Sequence, residues 1–166
     1  MGMIANYQEV NEEMLDELMQ CNDLFEKIEE LQEAGGIEIY DMDKMWDALH
    51  FLLTGKSASK PIVDDLISEA IVGTEVFSEE TDDYIAYILA DRVCEIAQKL
   101  KEIEISTYLK KFDMKKFSRR NIYPNIWTDE NEKEEIMAEL ADCFEGLSAF
   151  YNQMAEKKKA VIVSIY

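Results

Sequence analysis

An α+β fold, with several amphipathic helices packed on one small sheet, is what this sequence predicts. Three observations carry it. Apolar residues recur at helical spacing over most of the chain. Three short β-rich segments, at 3–9, 84–89 and 160–165, lie far apart in sequence. Only two prolines and six glycines interrupt 166 residues, and neither a linker nor an internal repeat divides them. Lone strands cannot satisfy their backbone groups, so the N-terminal and C-terminal strands are expected to meet in one sheet. A single domain over 1–166 follows, long enough to bury a core without a metal or disulfides.

The elements follow in order. Ile4 and Tyr7 mark the opening strand over 3–9. Asn11 can cap a helix whose first turn, Glu12 and Glu13, suits the positive dipole end. Met14, Leu18, Cys21, Phe25 and Ile28 give it an apolar face, and Gly35-Gly36 ends it. Ile37–Tyr40 alternates briefly. Asp41 is read as the cap of a second helix running to Gly55, with Met42, Met45, Leu49, Leu52 and Leu53 inward. A third helix is expected from Pro61, since proline suits a first turn, to Gly73. Residues 84–89 form a strand, and Asp91 opens a helix with Val93, Ile96, Ala97, Leu100 and Ile103 inward. Shorter helical pieces fill 106–120, and Ile122-Tyr123-Pro124-Asn125 is a turn, because Pro124 restrains its own backbone and that of Tyr123. Thr128 is read as the cap of a last long helix through Ile136, Leu140, Phe144, Leu147 and Tyr151 towards Met154, before the closing strand.

The net charge of −19 opposes direct binding to nucleic acid or to anionic membranes unless the bases are segregated. Residues 12–33 hold nine acids and one lysine, which reads as a solvated helix face. Residues 110–120 hold six bases and one acid, interleaved with Phe112 and Phe117. Internal balance against the eight acids of 129–145 is expected there, with Phe112, Met114 and Phe117 as anchors. Cys21, Cys94 and Cys143 are unpaired in number and widely spaced, so buried free thiols in a reducing, cytoplasmic compartment are expected. One histidine and no local Cys pair argue against zinc. No signal-peptide pattern and no apolar run of about 18 residues is present, so no membrane association is expected.

One constellation is dense. On a helix, at about 100° per residue, Asp43, Asp47, His50 and Thr54 share one polar strip bordered by Trp46. Three readings stand side by side. Asp47 or Asp43 could orient His50 as a general base. Asp43, Asp47 and His50 could offer three metal ligands. His50 could also be a packed core-edge histidine, the favoured reading beside Trp and Leu. No nucleophile elbow, P-loop or dinucleotide fingerprint strengthens catalysis. Thr54–Ser59 is small and polar, as a loop that a ligand approaches would be. Its Gly55-Lys56-Ser57 matches only the tail of a phosphate loop, and it follows a helix where such a loop follows a strand.

Lys44-Met45-Trp46-Asp47-Ala48-Leu49-His50-Phe51-Leu52-Leu53-Thr54-Gly55 resembles the signature of the YfbM-like family, a bacterial domain of unknown function. The resemblance continues through Ala70 to Gly73, Tyr87 to Val93, Ile122-Tyr123-Pro124, Trp127 and Phe150-Tyr151, so it covers nearly the whole chain. It departs at Gly73-Thr74, where the family often has paired glycines. It implies a single intracellular α+β domain and no assigned reaction. The expectation is therefore a small binding or interaction protein, with an unidentified protein or small-molecule partner and no cofactor or metal. Its binding residues would be Trp46, His50, Thr54, Gly55 and Tyr123. An enzyme using His50 with Asp43 or Asp47 is the first alternative. An acidic mimic of nucleic acid is the second.

Overall fold

The computed structural model describes residues 2–77 and 83–166. Its strands are β1 (Ala5–Val10), β2 (Ile39–Asp43), β3 (Glu75–Val76), β4 (Tyr84–Ile88) and β5 (Ala160–Ile165). Its helices are α1 (Glu12–Gln20), α2 (Leu24–Ala34), α3 (Trp46–Thr54), α4 (Leu66–Val72), α5 (Ala90–Lys101), α6 (Ile105–Leu109), α7 (Met114–Arg119) and α8 (Lys133–Lys157). The strands form one antiparallel sheet in the order β2-β1-β5-β4-β3. The two terminal strands are thus neighbours, with Ala5 opposite Ile165 and Val10 opposite Ala160.

Every side chain of β5 is buried, which explains its nearly unbroken apolar run. Ala5, Tyr7, Ala86, Ile88, Val161, Val163 and Ile165 face a large core closed by α3, α4, α5 and α8. Val10, Ile85, Ala160 and Ile162 face Leu15, Leu18 and Ile28 of α1 and α2. Helices therefore cover both faces of the sheet. Among the described residues, no helix is long and apolar enough to cross a membrane.

Several boundaries differ from the sequence expectation. The first long helix is two. Asp23 ends the run by accepting the Glu26 N–H (3.0 Å) and capping α2, and each half then lays its own short apolar face on the sheet. Asp41 does not cap a helix. The alternation at Ile37–Tyr40 continues as edge strand β2, in which Asp41 accepts the Asp43 N–H (2.7 Å) and Asp43 turns the chain at φ 57°. Tyr40 explains the placement of that strand. Its hydroxyl donates to the Cys143 carbonyl (3.0 Å), and its ring lies against Gly146 of α8, where an added Cβ would come within 2.7 Å of it. The helix expected from Pro61 starts at Leu66, with Asp65 accepting the Ser68 N–H (2.9 Å); Pro61–Asp64 is loop. The last helix starts at Lys133, because Asp129, not Thr128, caps a single preceding 3-10 turn at Glu130–Glu132.

Short helix α4 is buried, so its last carbonyls need partners. Three tyrosine hydroxyls supply them. Tyr151 donates to Ala70 O (2.6 Å), Tyr7 to Ile71 O (2.7 Å) and Tyr84 to Val72 O (2.7 Å). One residue from each of α8, β1 and β4 is thereby tied to the end of one helix. Tyr151→Phe keeps the ring but leaves the Ala70 carbonyl without its donor, at an expected cost of about 1–2 kcal/mol. Urea unfolding measures this, and an unchanged midpoint would show that the hydroxyl contributes nothing.

The cysteines are free, but only Cys143 is buried; Cys21 is half-buried and Cys94 exposed. Cys94 sits on α5 between inward-facing Val93 and Ile96, which turns it to solvent. Burial pushes the Cys143 thiol up to about 12, so it stays protonated at neutral pH.

Candidate functional site

Helix α3 ends at Gly55, which adopts the left-handed conformation (φ 78°) and donates its N–H to Phe51 O (2.8 Å). Glycine enters that region without a Cβ penalty, so the chain can leave the helix sharply. The loop that follows is held from below by two buried side chains of α3.

Asp47, 5% exposed, is the first. Its Oδ1 accepts the Ser57 hydroxyl (2.9 Å) and the Ala58 N–H (2.7 Å), and its Oδ2 accepts the Tyr123 N–H (2.9 Å). One carboxylate thus fixes the 55–60 loop and the 121–125 turn to the same helix. Ser57 gives its proton to Asp47, so the 3.0 Å contact between hydroxyls has Ser59 donating to Ser57.

His50 is the second, and it is fully buried. Its Nδ1 lies 2.7 Å from Lys56 O, and its Nε2 lies 2.8 Å from Ser68 Oγ. A carbonyl can only accept, so Nδ1 carries the hydrogen. In the neutral ring Nε2 is then an acceptor. Ser68 supplies its hydroxyl proton there, while its oxygen accepts the Ile62 N–H (3.0 Å). Thr54 donates to His50 O (2.7 Å) and accepts the Lys56 N–H (3.2 Å), finishing the turn. No hydrogen bond joins Asp47 to His50. The imidazole is a latch between the end of α3, the loop and α4.

Burial holds the His50 pKa below its ordinary 6.5, against the Lys56 carbonyl and the charges of Asp47 and Asp65, which raise it. Unfolded chains therefore take up a proton first as pH falls. Stability from this group is complete above about 6.5 and is lost below it, by at most about 1.4 kcal/mol per pH unit. Urea midpoints at about pH 7.5 and about pH 5.5 test this, since the histidine-specific part of the loss should be missing in His50→Gln. Equal losses in both proteins would contradict it.

Asp43 does not join the strip. It ends β2 before α3 begins, because the helix is capped at Met45, four residues later than the expected cap Asp41. Trp46 and Tyr123 do come together, with ring centroids 5.5 Å apart. They clasp the N-terminal segment: Trp46 Nε1 donates to Met3 O (3.0 Å), and Met3 N–H donates to Tyr123 Oη (2.7 Å). The Tyr123-Pro124 bond is cis. Tyr123 also lines a cleft of about 530 Å³ with Gly2, Asp43, Lys44 and Glu139. Burial, with the Asp43 charge second, raises the Glu139 pKa there. His50 does not line this cleft.

A larger cleft of about 760 Å³ opens beyond α3. Gly55–Ser57 and Ser59–Val63 form one side, and Arg120–Ile122 the other. Three of these residues, Lys56, Lys60 and Arg120, are basic and none is acidic. Of the expected binding residues only Gly55 lines it; Thr54 lies behind the loop.

The family model "Domain of unknown function (DUF1877)" matches residues 1–164. The chain belongs to that family. Protein YfbM of Escherichia coli (strain K12) is 27% identical over 156 residues, spanning 93% of this chain and 92% of its own. The crystal structure of YfbM from Escherichia coli, described as a protein of unknown function, superposes with a TM-score of 0.82 at 24% identity. It covers 98% of this chain and 99% of that one, and it shares the fold. Family membership therefore brings an architecture and no assigned function.

Of the residues lining this cleft, Lys60, Ile62 and Asn121 were not singled out in the sequence, whereas Lys56 lies in the small polar loop and Arg120 in the basic run that were. A signal existed in two halves: the small polar loop after Gly55, and the basic run that ends at Arg120. Nothing in the chain order joins them; Asp47 does, through space. The expected pairing of that run with acidic neighbours is not seen. Phe112, Met114 and Phe117 are buried anchors as expected. Among the described residues, however, none of its six bases lies within ion-pair distance of a carboxylate. The anchors hold the segment, so the bases need no partners to stay in place. Among the described residues, no three His, Cys, Asp or Glu side chains are grouped to hold a metal.

Proposed function

We propose that this protein binds a small molecule in the cleft beyond α3, and that Asp47 and His50 build the site without touching the ligand. The observation that carries the reading is the sealed state of His50. Both its ring nitrogens are committed to protein partners, and none of its surface is exposed. A general base must reach the proton it abstracts. The cleft beside it has the volume of an ordinary small-molecule site, about 300–1,000 Å³. Its walls are fixed from inside by buried hydrogen bonds, which is what a preorganised site requires. The three free thiols support a cytoplasmic location.

A fragment screen by amide NMR tests the reading. Hits should shift Gly55–Val63 and Arg120–Ile122 together, in the parent and in folded His50→Gln alike. Hits that gather elsewhere, or that vanish from a folded His50→Gln while the cleft keeps its shape, would overturn it.

A further inference from the structure

The cleft has a sign opposite to that of the molecule. The chain carries 36 acids and 17 bases, yet the cleft is lined by Lys56, Lys60 and Arg120 with no Asp or Glu among the lining residues. All three are exposed, and among the described residues none pairs with a carboxylate. The bases come from two separate stretches, the loop after α3 and the turn after α7, so a local run of lysines in the sequence does not account for them. Three cations with no ion-pair partner among the described residues, set around one concave space, attract an anion. Beside them lie Pro61, Ile62 and Val63, and Val63 is 86% exposed, the most exposed of the large apolar side chains on the described surface. Asn121 adds a neutral amide on the Arg120 side.

We propose that the ligand is a small organic phosphate, with its phosphate held by Lys56, Lys60 and Arg120 and an apolar body laid against Pro61–Val63. The inference rests on the reading of this cleft as the ligand site. Arginine offers a planar fork to two phosphate oxygens, and lysines add point charge, so the trio suits a compact dianion. The lining has no carboxylate, imidazole or thiolate to hold a metal ion, so the charge of the ligand is met by side chains alone. The volume suits one small molecule, and the surplus of acids over the rest of the chain opposes a long polyanion.

Phenyl phosphate is the probe, titrated calorimetrically at low salt beside phenol, inorganic phosphate and a 12-nucleotide single strand. The parent protein should bind phenyl phosphate more tightly than phenol or inorganic phosphate. Lys60→Ala and Arg120→Ala should each weaken it by about tenfold, the usual scale for one charged hydrogen bond. Lys101→Ala on α5, which is not among the lining residues, should leave it within about twofold, since that side chain makes no contact with the ligand. Phenyl phosphate binding that ignores both cleft variants, or that is no tighter than that of phenol, overturns the phosphate assignment. Equal affinity for inorganic phosphate removes the apolar arm, and tighter binding of the oligonucleotide overturns the small-ligand assignment. Neutral fragments that still map to the cleft would leave the binding reading standing; an unoccupied cleft with every probe would end both.

Discussion

A chain that stops at Lys159 is expected not to fold. The removed segment contains β5, the middle strand of the sheet, which pairs with β1 over its full length and with β4 on its other edge. Its loss strips partners from two strands at once and opens both cores, since Val161, Val163 and Ile165 face one and Ile162 the other. Burying four such side chains contributes about 6–12 kcal/mol. That is comparable with the whole stability of an ordinary domain, about 5–15 kcal/mol. Near-ultraviolet circular dichroism and proton NMR dispersion should both be lost. A truncated protein that melts cooperatively at the parent temperature would show that the sheet is not organised around β5.

Asp47→Ala should be the most damaging single substitution near the cleft, at about 3 kcal/mol or more. It removes three charge-assisted hydrogen bonds and leaves the Ala58 N–H buried without an acceptor, and each such defect costs about 1–3 kcal/mol. Asp47→Asn should lose less. Its remaining oxygen can keep Ser57 and Ala58, while its amide then faces the Tyr123 N–H, donor against donor. Urea unfolding gives the ranking. Hydrogen exchange adds the location, because the Ala58 and Tyr123 amides should lose protection before the rest of the core. A cost below about 1 kcal/mol for the alanine variant would mean that water replaces the carboxylate, and that the cleft walls are not held from α3.

Much of the architecture could be read in the residues, and the reasons differ by element. Residues 160–165 are apolar at every position but one, so a closing strand was legible, as was its place in one sheet with the N-terminal strand; its burial on both faces was not. Edge strands were not. β3 has two residues, too few for any pattern, and β2 ends in acids that look like a helix cap. Asp41 and Asp43 do serve a turn, but one that leaves a strand, and only pairing with β1 decides that. The break at Cys21–Asp23 failed for another reason: apolar spacing runs straight through it, and only the Asp23 cap marks it.

At the site, Asp47, His50 and Thr54 were found together on one face, and the structure keeps them together. Their chemistry was legible only in part. Sequence spacing shows neighbours along a helix, and it cannot show that Lys56 O and Ser68 Oγ take up both nitrogens of His50. Arg120 lies 64 positions beyond Lys56 along the chain, so its place in the same cleft depends on Asp47 reaching Tyr123.

The crystal structure of this protein grown with phenyl phosphate tests the central claim most directly. The account predicts phosphate density between Lys56, Lys60 and Arg120, with oxygens about 2.7–2.9 Å from their nitrogens, the ring against Pro61–Val63, and His50 still closed on Lys56 and Ser68. Density elsewhere on the surface with this cleft empty, or a ligand that enters by displacing His50 from Ser68, would contradict it.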